Sequence, residues 1–360
     1  MHETLFSEKL IDKIKEKKSY ICIGLDPNFE GKKSIPNFLL RKHNNNHNAA
    51  ILEFNKQIID STHKLTPIYK PQIAFYEKYN AQNALEHTID YIHKKNCLAI
   101  LDAKRNDIGN TSKAYKNNIF GTLNADATTL NAYLGIDSIK PFIQDKGKGV
   151  FILVKTSNQS SGDFQDKYLV SGMLMNVLNH NIELDNIENG GIIKKSENGV
   201  LSLKFTKNLL KMINEQDSIV KSGELELFNT NYIAMARLVH SWGKSTQPAF
   251  KTKYPYTNVG AVVGATYPEQ LKVIRHEIPN SIILIPGYGA QGGTAKDIIH
   301  GFNEDGFGAI INSSRGINYA YVKEIKGQKY SETEYGEAAT ASACLMRNSI
   351  NQVLKEANLI

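Results

Sequence analysis

The run Asp102-Ala-Lys-Arg-Asn-Asp107 gathers opposite charges within six residues. Asp102 and Lys104 are two apart, so on a strand their side chains leave the same face and lie side by side. Each then lowers the cost of charging the other, and both stay ionised. For an arbitrary Asp-x-Lys a structural ion pair is the plainer explanation. Here the pair stands at the end of an apolar run, where a parallel barrel builds its active site, and chemistry becomes the better reading. Asp107 follows within one turn in Asn-Asp-Ile-Gly-Asn-Thr, and a helix N-cap explains it as well as catalysis does. Lys70 and Gln72, in Tyr-Lys-Pro-Gln-Ile-Ala-Phe, repeat the spacing of two. A lysine inside an apolar strand needs a partner. With Asp102 on the neighbouring strand, the expectation is an alternating Lys70, Asp102, Lys104 cluster that titrates as one coupled set.

A second chemistry-bearing region lies near the C-terminus. One apolar run leads into Pro286-Gly-Tyr-Gly-Ala-Gln-Gly-Gly293 and the next into Asn312-Ser-Ser-Arg-Gly316. The loops after the last two strands of a barrel commonly bind phosphate. Glycines let backbone N–H groups close on anionic oxygens, Arg315 offers a planar fork, and Gln291 a neutral donor. A glycine-rich turn alone is usually only a turn. Two such loops with an arginine between small residues favour phosphate.

Short β-branched runs must position these groups. They cover Tyr20–Asp26, Ile68–Phe75, Cys97–Ala103, Asp126–Asn131, Gly149–Lys155, Asn258–Gly264, Ser281–Gly287 and Gly308–Ser313. Several are apolar on both faces, the mark of parallel strands covered by helices. Helix-like stretches lie between them, among them Ala49–Leu65, Ala81–Lys95 and Pro268–His276. This alternation predicts an α/β fold, a (β/α)8 TIM barrel. No Gly-x-Gly-x-x-Gly follows the first run, which weakens a dinucleotide-binding alternative. The polar run Arg41–Asn48 reads as a solvated insertion before the first crossover helix. Between strands 5 and 6 lie about a hundred residues, where one crossover needs about a third of that. Residues 1–360 therefore read as one barrel domain carrying a long surface insertion at about 176–232. Within it Asn179–Val220 is rich in Asn, Glu and Lys around a Gly190-Gly191 turn, and Phe205–Ile213 reads as an amphipathic turn and helix.

The 360 residues are 41% hydrophobic and 22% charged, ordinary for a globular protein. A net charge of +7 is spread through the chain without a basic block, which supports no more than a modest preference for anionic substrates. Basic residues are not clustered with aromatics, so no nucleic-acid partner is expected. Cys22, Cys97 and Cys344 are odd in number and widely spaced, which points to buried free thiols rather than disulfides or a zinc site. The N-terminal segment reads as an amphipathic helix, and no run of about 20 apolar residues occurs, so a cytoplasmic protein with no membrane partner is expected.

Six ordered motifs together resemble the orotidine 5′-monophosphate decarboxylases, specifically that family's longer branch. They are Gly24-Leu-Asp-Pro27, Lys70-Pro-Gln-x-Ala-Phe75, Asp102-Ala-Lys-Arg-x-Asp-Ile-Gly109 with Thr111, Lys155-Thr-Ser-Asn158, Val263-Gly-Ala-Thr266 and Gly287-x-Gly-Ala-Gln-Gly-Gly293. The resemblance implies roles for single residues. Asp26 would bind the ribose, Lys70 would order the charged array with Gln72 beside it in the substrate site, Asp102 would face the scissile carboxylate, and Lys104 would protonate the pyrimidine carbon. Asp107, Ile108 and Thr111 would reach into a partner subunit's site, implying a homodimer with shared active sites. Ser157 would meet the pyrimidine edge with Pro286 nearby, and Gln291 and Arg315 would hold the phosphate. Orotidine 5′-monophosphate would be the substrate, uridine 5′-monophosphate the product, with neither metal nor organic cofactor. Association with orotate phosphoribosyltransferase, the preceding enzyme, stays open. The chain departs from the family pattern at Asn131-Ala-Tyr133, where Asn-Pro-Tyr is expected, at Asn106, where Gly is common, and in the long insertion.

Two other enzyme classes compete. A Schiff-base aldolase also needs a strand lysine and a phosphate site, but its lysine must lose a proton that Asp102 would hold in place. A relative with the same charged motif acting on a sugar phosphate would need magnesium to polarise an enediolate. The non-enzymatic reading is a phosphate-binding barrel.

Overall fold

The computed structural model describes residues 4–170, 191–195, 201–205, 224–246, 252–289 and 292–360. The alternation of apolar runs and amphipathic stretches closes into a parallel eight-stranded barrel. Its strands are β1 (Ile21–Leu25), β2 (Ile68–Pro71), β3 (Leu98–Arg105), β4 (Ala127–Leu130), β5 (Gly149–Lys155), β10 (Val259–Val263), β11 (Ile283–Ile285) and β12 (Ala309–Ser313), neighbours in that order, with β12 returning to β1. Every residue of β1, β2, β4, β10, β11 and β12 is buried, as the two-faced apolar runs require. The (β/α)8 expectation is met.

Helices cover the barrel. They are α1 (Phe6–Lys17), α2 (Asn37–Lys42), α3 (His47–Thr62), α4 (Ile73–Lys78), α5 (Gln82–Lys94), α6 (Gly109–Lys116), α7 (Ile136–Ile143), α8 (Asn231–Ser245), α9 (Pro268–Glu277), α10 (Arg315–Asn318) and α11 (Tyr335–Glu356). The expected N-terminal helix is α1, which buries Phe6, Leu10, Ile11 and Ile14. Phe6 meets Phe151 of β5 edge to face, with ring centroids 6.1 Å apart. α3 packs between α5 and α11: Tyr91 donates to Asp60 at 2.8 Å, and Thr340 donates to the Ser61 carbonyl at 2.7 Å. Cys22 and Cys97 are buried, Cys344 is partly so, and all three are free thiols.

One local reading is refined and one changes. The Asn-rich run is largely exposed, as expected, and forms the turn between α2 and α3. Asn44 and Asn45 take left-handed φ values of 51° and 60°, which asparagine tolerates well, and the Asn46 side chain caps α3 by accepting from Ala49 N at 3.2 Å. The second strand is shorter than Ile68–Phe75. It stops at Pro71, and Gln72 becomes the N-cap of α4, its side-chain oxygen facing Ala74 N at 3.4 Å.

By its contacts the chain divides into residues 1–157 with 238–360, which hold the barrel, and a second unit, Asn158–Arg237. The second unit holds β6 (Tyr168–Val170), β7 (Gly191–Lys195), β8 (Leu201–Phe205) and β9 (Glu224–Thr230), an antiparallel sheet in the order β6-β9-β8-β7. It starts ahead of residue 176 because Tyr168–Val170 pairs with β9. Phe205 ends β8. Residues 206–213 of the expected turn and helix lie outside the described residues, as do most of Asn179–Val220 and Gly190.

Candidate active site

Parallel pairing brings β2, β3 and β4 together at their C-terminal ends. The backbones of Gln72 and Asp102 form a parallel bridge beyond the regular β2–β3 ladder. Between β3 and β4 the register slips. Leu101 pairs with Thr128, and the next pair is Arg105 with Leu130, so Asp102, Ala103 and Lys104 face Thr129 alone. Such a bulge bends a strand and re-aims its side chains. Lys104 takes a φ of +46°, a left-handed conformation that costs a non-glycine residue about 1–2 kcal/mol.

The side chains meet there. Lys70 Nζ lies 2.6 Å from Asp102 Oδ2, and Lys104 Nζ lies 2.6 Å from Asp102 Oδ1. The Thr129 hydroxyl donates to Asp102 Oδ1 at 2.8 Å. Lys70 is 5% and Asp102 6% exposed, whereas the Lys104 side chain is 45% exposed and opens to solvent. Burial alone would push the Asp102 carboxyl up, but the ammonium groups of Lys70 and Lys104 override it and hold the carboxyl well below its ordinary 3.8. Burial would likewise lower Lys70, and Asp102 with Asp26 holds it above its ordinary 10.5. Between those ordinary values both groups are charged. The Asp102 contribution to stability disappears on acidification below 3.8, and that of Lys70 on passing well above 10.5.

Asp26, just past β1, is shifted the other way. Burial raises its carboxyl more than Lys70 and the Ser314 hydroxyl lower it, and Asp102 adds repulsion. Its Oδ1 is enclosed without a hydrogen-bond partner among the described residues. Gly24 makes room for this corner, since a Cβ there would run into Ser314. A buried acceptor at a barrel mouth suits a hydroxyl-bearing ligand.

The remaining candidates line the mouth of the next strands. Ser157, after β5, sits against Gly264, where a Cβ would meet Ser157 Cα at 2.6 Å, and its carbonyl faces Thr266 Oγ1 at 3.3 Å. Ala265 N donates to the Pro286 carbonyl at 2.8 Å, so Ser157 and Pro286 flank the end of β10. In the Gly287–Gly293 loop, Gly287, Gly289 and Gly292 have φ values of 99°, 70° and 95°. Gly289 N donates to the Gly293 carbonyl at 2.9 Å, Gly292 N to Gly289 at 3.1 Å and Gly293 N to Gly287 at 3.2 Å. These three N–H groups close the loop on itself rather than facing outward. Gln291 lies outside the described residues. Arg315 is exposed at the start of α10, just past β12, the strand that pairs with β11, and makes no ion pair among the described residues.

Asp107, Ile108 and Thr111 stand apart from the cluster. Asp107 Oδ1 accepts from Ile108 N at 2.8 Å, and Ile108 is 52% exposed. Thr111 is exposed on α6. Two features escape a reading of the sequence alone. Thr129 gave only the weak signal of a hydroxyl in an apolar strand. Lys155, fully buried, lies 4.4 Å over the Tyr267 ring.

Residues 19–222 match the model of the orotidine 5′-phosphate decarboxylase / HUMPS family. The chain belongs to this family. An orotidine 5′-phosphate decarboxylase of Clostridium acetobutylicum is 34% identical over 353 residues, covering 96% of this chain and 99% of that one. One from Clostridium perfringens is 33% identical over 356 residues, covering 97% and 99%. Among solved structures, OMP decarboxylase of Leishmania donovani superposes with a TM-score of 0.64 at 27% identity, covering 97% of this chain and 98% of the other. Similarity to these relatives spans almost the whole chain. Among the described residues no helix is long and apolar enough to cross a membrane.

Proposed function

We propose that the chain decarboxylates orotidine 5′-monophosphate to uridine 5′-monophosphate in de novo pyrimidine synthesis, using the Lys70–Asp102–Lys104 array. The observation that carries this is one buried carboxylate held between two ammonium groups, each 2.6 Å away, at the C-terminal mouth of the barrel. The bond from the ring carbon to the carboxylate breaks, and its electron pair stays on the ring carbon. That pair lies in the ring plane, out of reach of the ring π system, so stabilisation must come from outside. The Lys104 ammonium supplies a preoriented positive charge and then the proton that completes the product. Asp102 faces the departing carboxylate, where repulsion in the ground state is relieved as carbon dioxide leaves. Asp26 takes a ribose hydroxyl, Gln72, Ser157 and Pro286 border the pyrimidine, and Gln291 and Arg315 hold the phosphate. Binding energy from that distant anion offsets the repulsion.

The same reading makes the enzyme a cytoplasmic homodimer. Ile108, Tyr133 and Leu134, on the segments leading into α6 and α7, and Ile136, at the start of α7, are between 38% and 71% exposed, and the Ser112 hydroxyl joins the two helices by donating to the Ser138 carbonyl at 3.2 Å. Exposed apolar groups so placed favour a second copy, to whose site Asp107, Ile108 and Thr111 would be delivered. A complex with orotate phosphoribosyltransferase is compatible with this arrangement. The test is conversion of orotidine 5′-monophosphate by purified protein with a metal chelator present. Turnover that persists supports the proposal. No conversion of orotidine 5′-monophosphate, with magnesium-dependent turnover of a sugar phosphate in its place, would favour the sugar-phosphate chemistry.

A further inference from the structure

We infer that Thr129 is a positioning residue that sets the reactive geometry of both Asp102 and Lys104, a role resting on the decarboxylation reading above. Its hydroxyl is used to capacity. It donates to Asp102 Oδ1 at 2.8 Å and accepts from the backbone N–H groups of Ala103 and Lys104, each at 3.0 Å. A hydroxyl has one proton and two lone pairs, and all three are committed. The side chain is 1% exposed, so water cannot substitute for it without rearrangement.

The strand geometry explains the need. Three residues of β3 face the single residue Thr129 across the bulge, so the amides of Ala103 and Lys104 have no place in the regular ladder. Unpaired amides there would favour re-registration of the strand. The hydroxyl caps both and holds Lys104 at φ +46°. Backbone conformation fixes where the Lys104 side chain starts, and the hydrogen bond to Asp102 fixes the carboxylate that Lys104 pairs with. One oxygen atom thus ties the acid's orientation to the strained backbone of the proton donor. The hydroxyl of Thr128, the preceding residue of β4, donates instead to the Leu101 carbonyl at 2.9 Å.

The experiment compares Thr129→Val, which keeps the shape and removes the hydroxyl, with Thr129→Ser, which keeps the hydroxyl. Thr129→Val is expected to fold, to bind uridine 5′-monophosphate within about threefold of wild type and to lose about 10²-fold in kcat, the cost of a displacement of about 1 Å at a reacting group. KM should change far less than kcat. The acid limb of its kcat profile should move to higher pH, because a hydrogen bond that favoured the ionised carboxylate is gone. Thr129→Ser should restore kcat to within a few-fold of wild type. A folded Thr129→Val with wild-type kcat and pH profile would overturn the proposal, as would Thr129→Ser failing equally. Should Thr129→Val not fold, Thr129→Ala is read the same way, and failure of both to fold beside an active Thr129→Ser would reduce the hydroxyl to a structural cap. Lys104→Ala in the same assay separates the two claims. If wild type itself releases no carbon dioxide the decarboxylation reading falls, if Lys104→Ala stays active only the Lys104 role falls, and if Lys104→Ala is dead while Thr129→Val is intact only the Thr129 role falls.

Discussion

Replacing Asp102 by Asn removes a charge on which two lysines depend, and its effect on stability follows from their burial. Lys70 is 5% exposed and lies 2.6 Å from the carboxylate. Asn would turn either an amide N–H₂ toward Lys70 or its oxygen, and neither compensates the ammonium. Asp26 is the other carboxylate that raises Lys70, and its own burial disfavours charging. Coulomb's law at an effective dielectric near 20 gives about 4 kcal/mol for unit charges 4 Å apart. Breaking a buried pair from one side costs about 3–5 kcal/mol. Asp102→Asn should therefore lose about 3–5 kcal/mol of unfolding free energy at pH 7. Asp102 titrates below its ordinary 3.8 in the folded protein, so its stabilisation is full above that value and fades as pH falls through it. The gap between wild type and variant should narrow in acid. The double variant Asp102→Asn/Lys70→Met removes both buried charges and should recover most of the loss while remaining inactive. Urea unfolding of the four proteins of this cycle from pH 7 down to pH 3 measures both effects. An Asp102→Asn protein as stable as wild type at pH 7, or a gap that widens in acid, would refute the reasoning.

Asp26→Asn should show the opposite stability trend. The folded protein holds Asp26 above its ordinary 3.8, so ionising it at neutral pH is a cost that the amide relieves; thermal melts should show a gain at pH 7 that vanishes near pH 3, alongside a KM raised roughly tenfold or more from a lost hydrogen bond of about 1.5–3 kcal/mol. Arg315→Ala should raise KM about 10²-fold, and added inorganic phosphite should rescue truncated substrate less well than in wild type, since a bidentate fork is lost. Tyr133→Lys, at a side chain 71% exposed, should leave the fold intact and lower the dimer fraction in sedimentation, with activity falling in parallel.

The eight strands were legible because parallel strands buried on both faces leave continuous β-branched runs. The charged cluster was legible for a partly different reason than expected. Simple alternation places Asp102 and Lys104 on one face, yet the chain breaks alternation there, and the pair forms across a bulge with Lys104 left-handed. A bulge depends on which residue of the facing strand can satisfy the spare amides, and that partner is 25 residues away from Lys104 in sequence. Gln72 was misplaced on a strand for a related reason: one side-chain cap turns the chain into α4. The Asn-rich turn could have been read from the tolerance of asparagine for left-handed φ. The antiparallel sheet of 158–237 was missed although β8 (LSLKF) and β9 (ELELFNT) alternate apolar and polar residues, because its strands are short and β6 pairs far along the chain, Tyr168 with Thr230.

In the proposed mechanism Lys104 delivers the proton within an array held by Asp102. Single-turnover release of carbon dioxide from orotidine 5′-monophosphate, followed for wild type and a folded Lys104→Ala with uridine 5′-monophosphate affinity as the control, tests it most directly. Near-complete loss of release is expected, with affinity kept within about tenfold, because the phosphate and ribose grips lie elsewhere. Release at the wild-type rate from folded Lys104→Ala would contradict the role of Lys104 as proton donor.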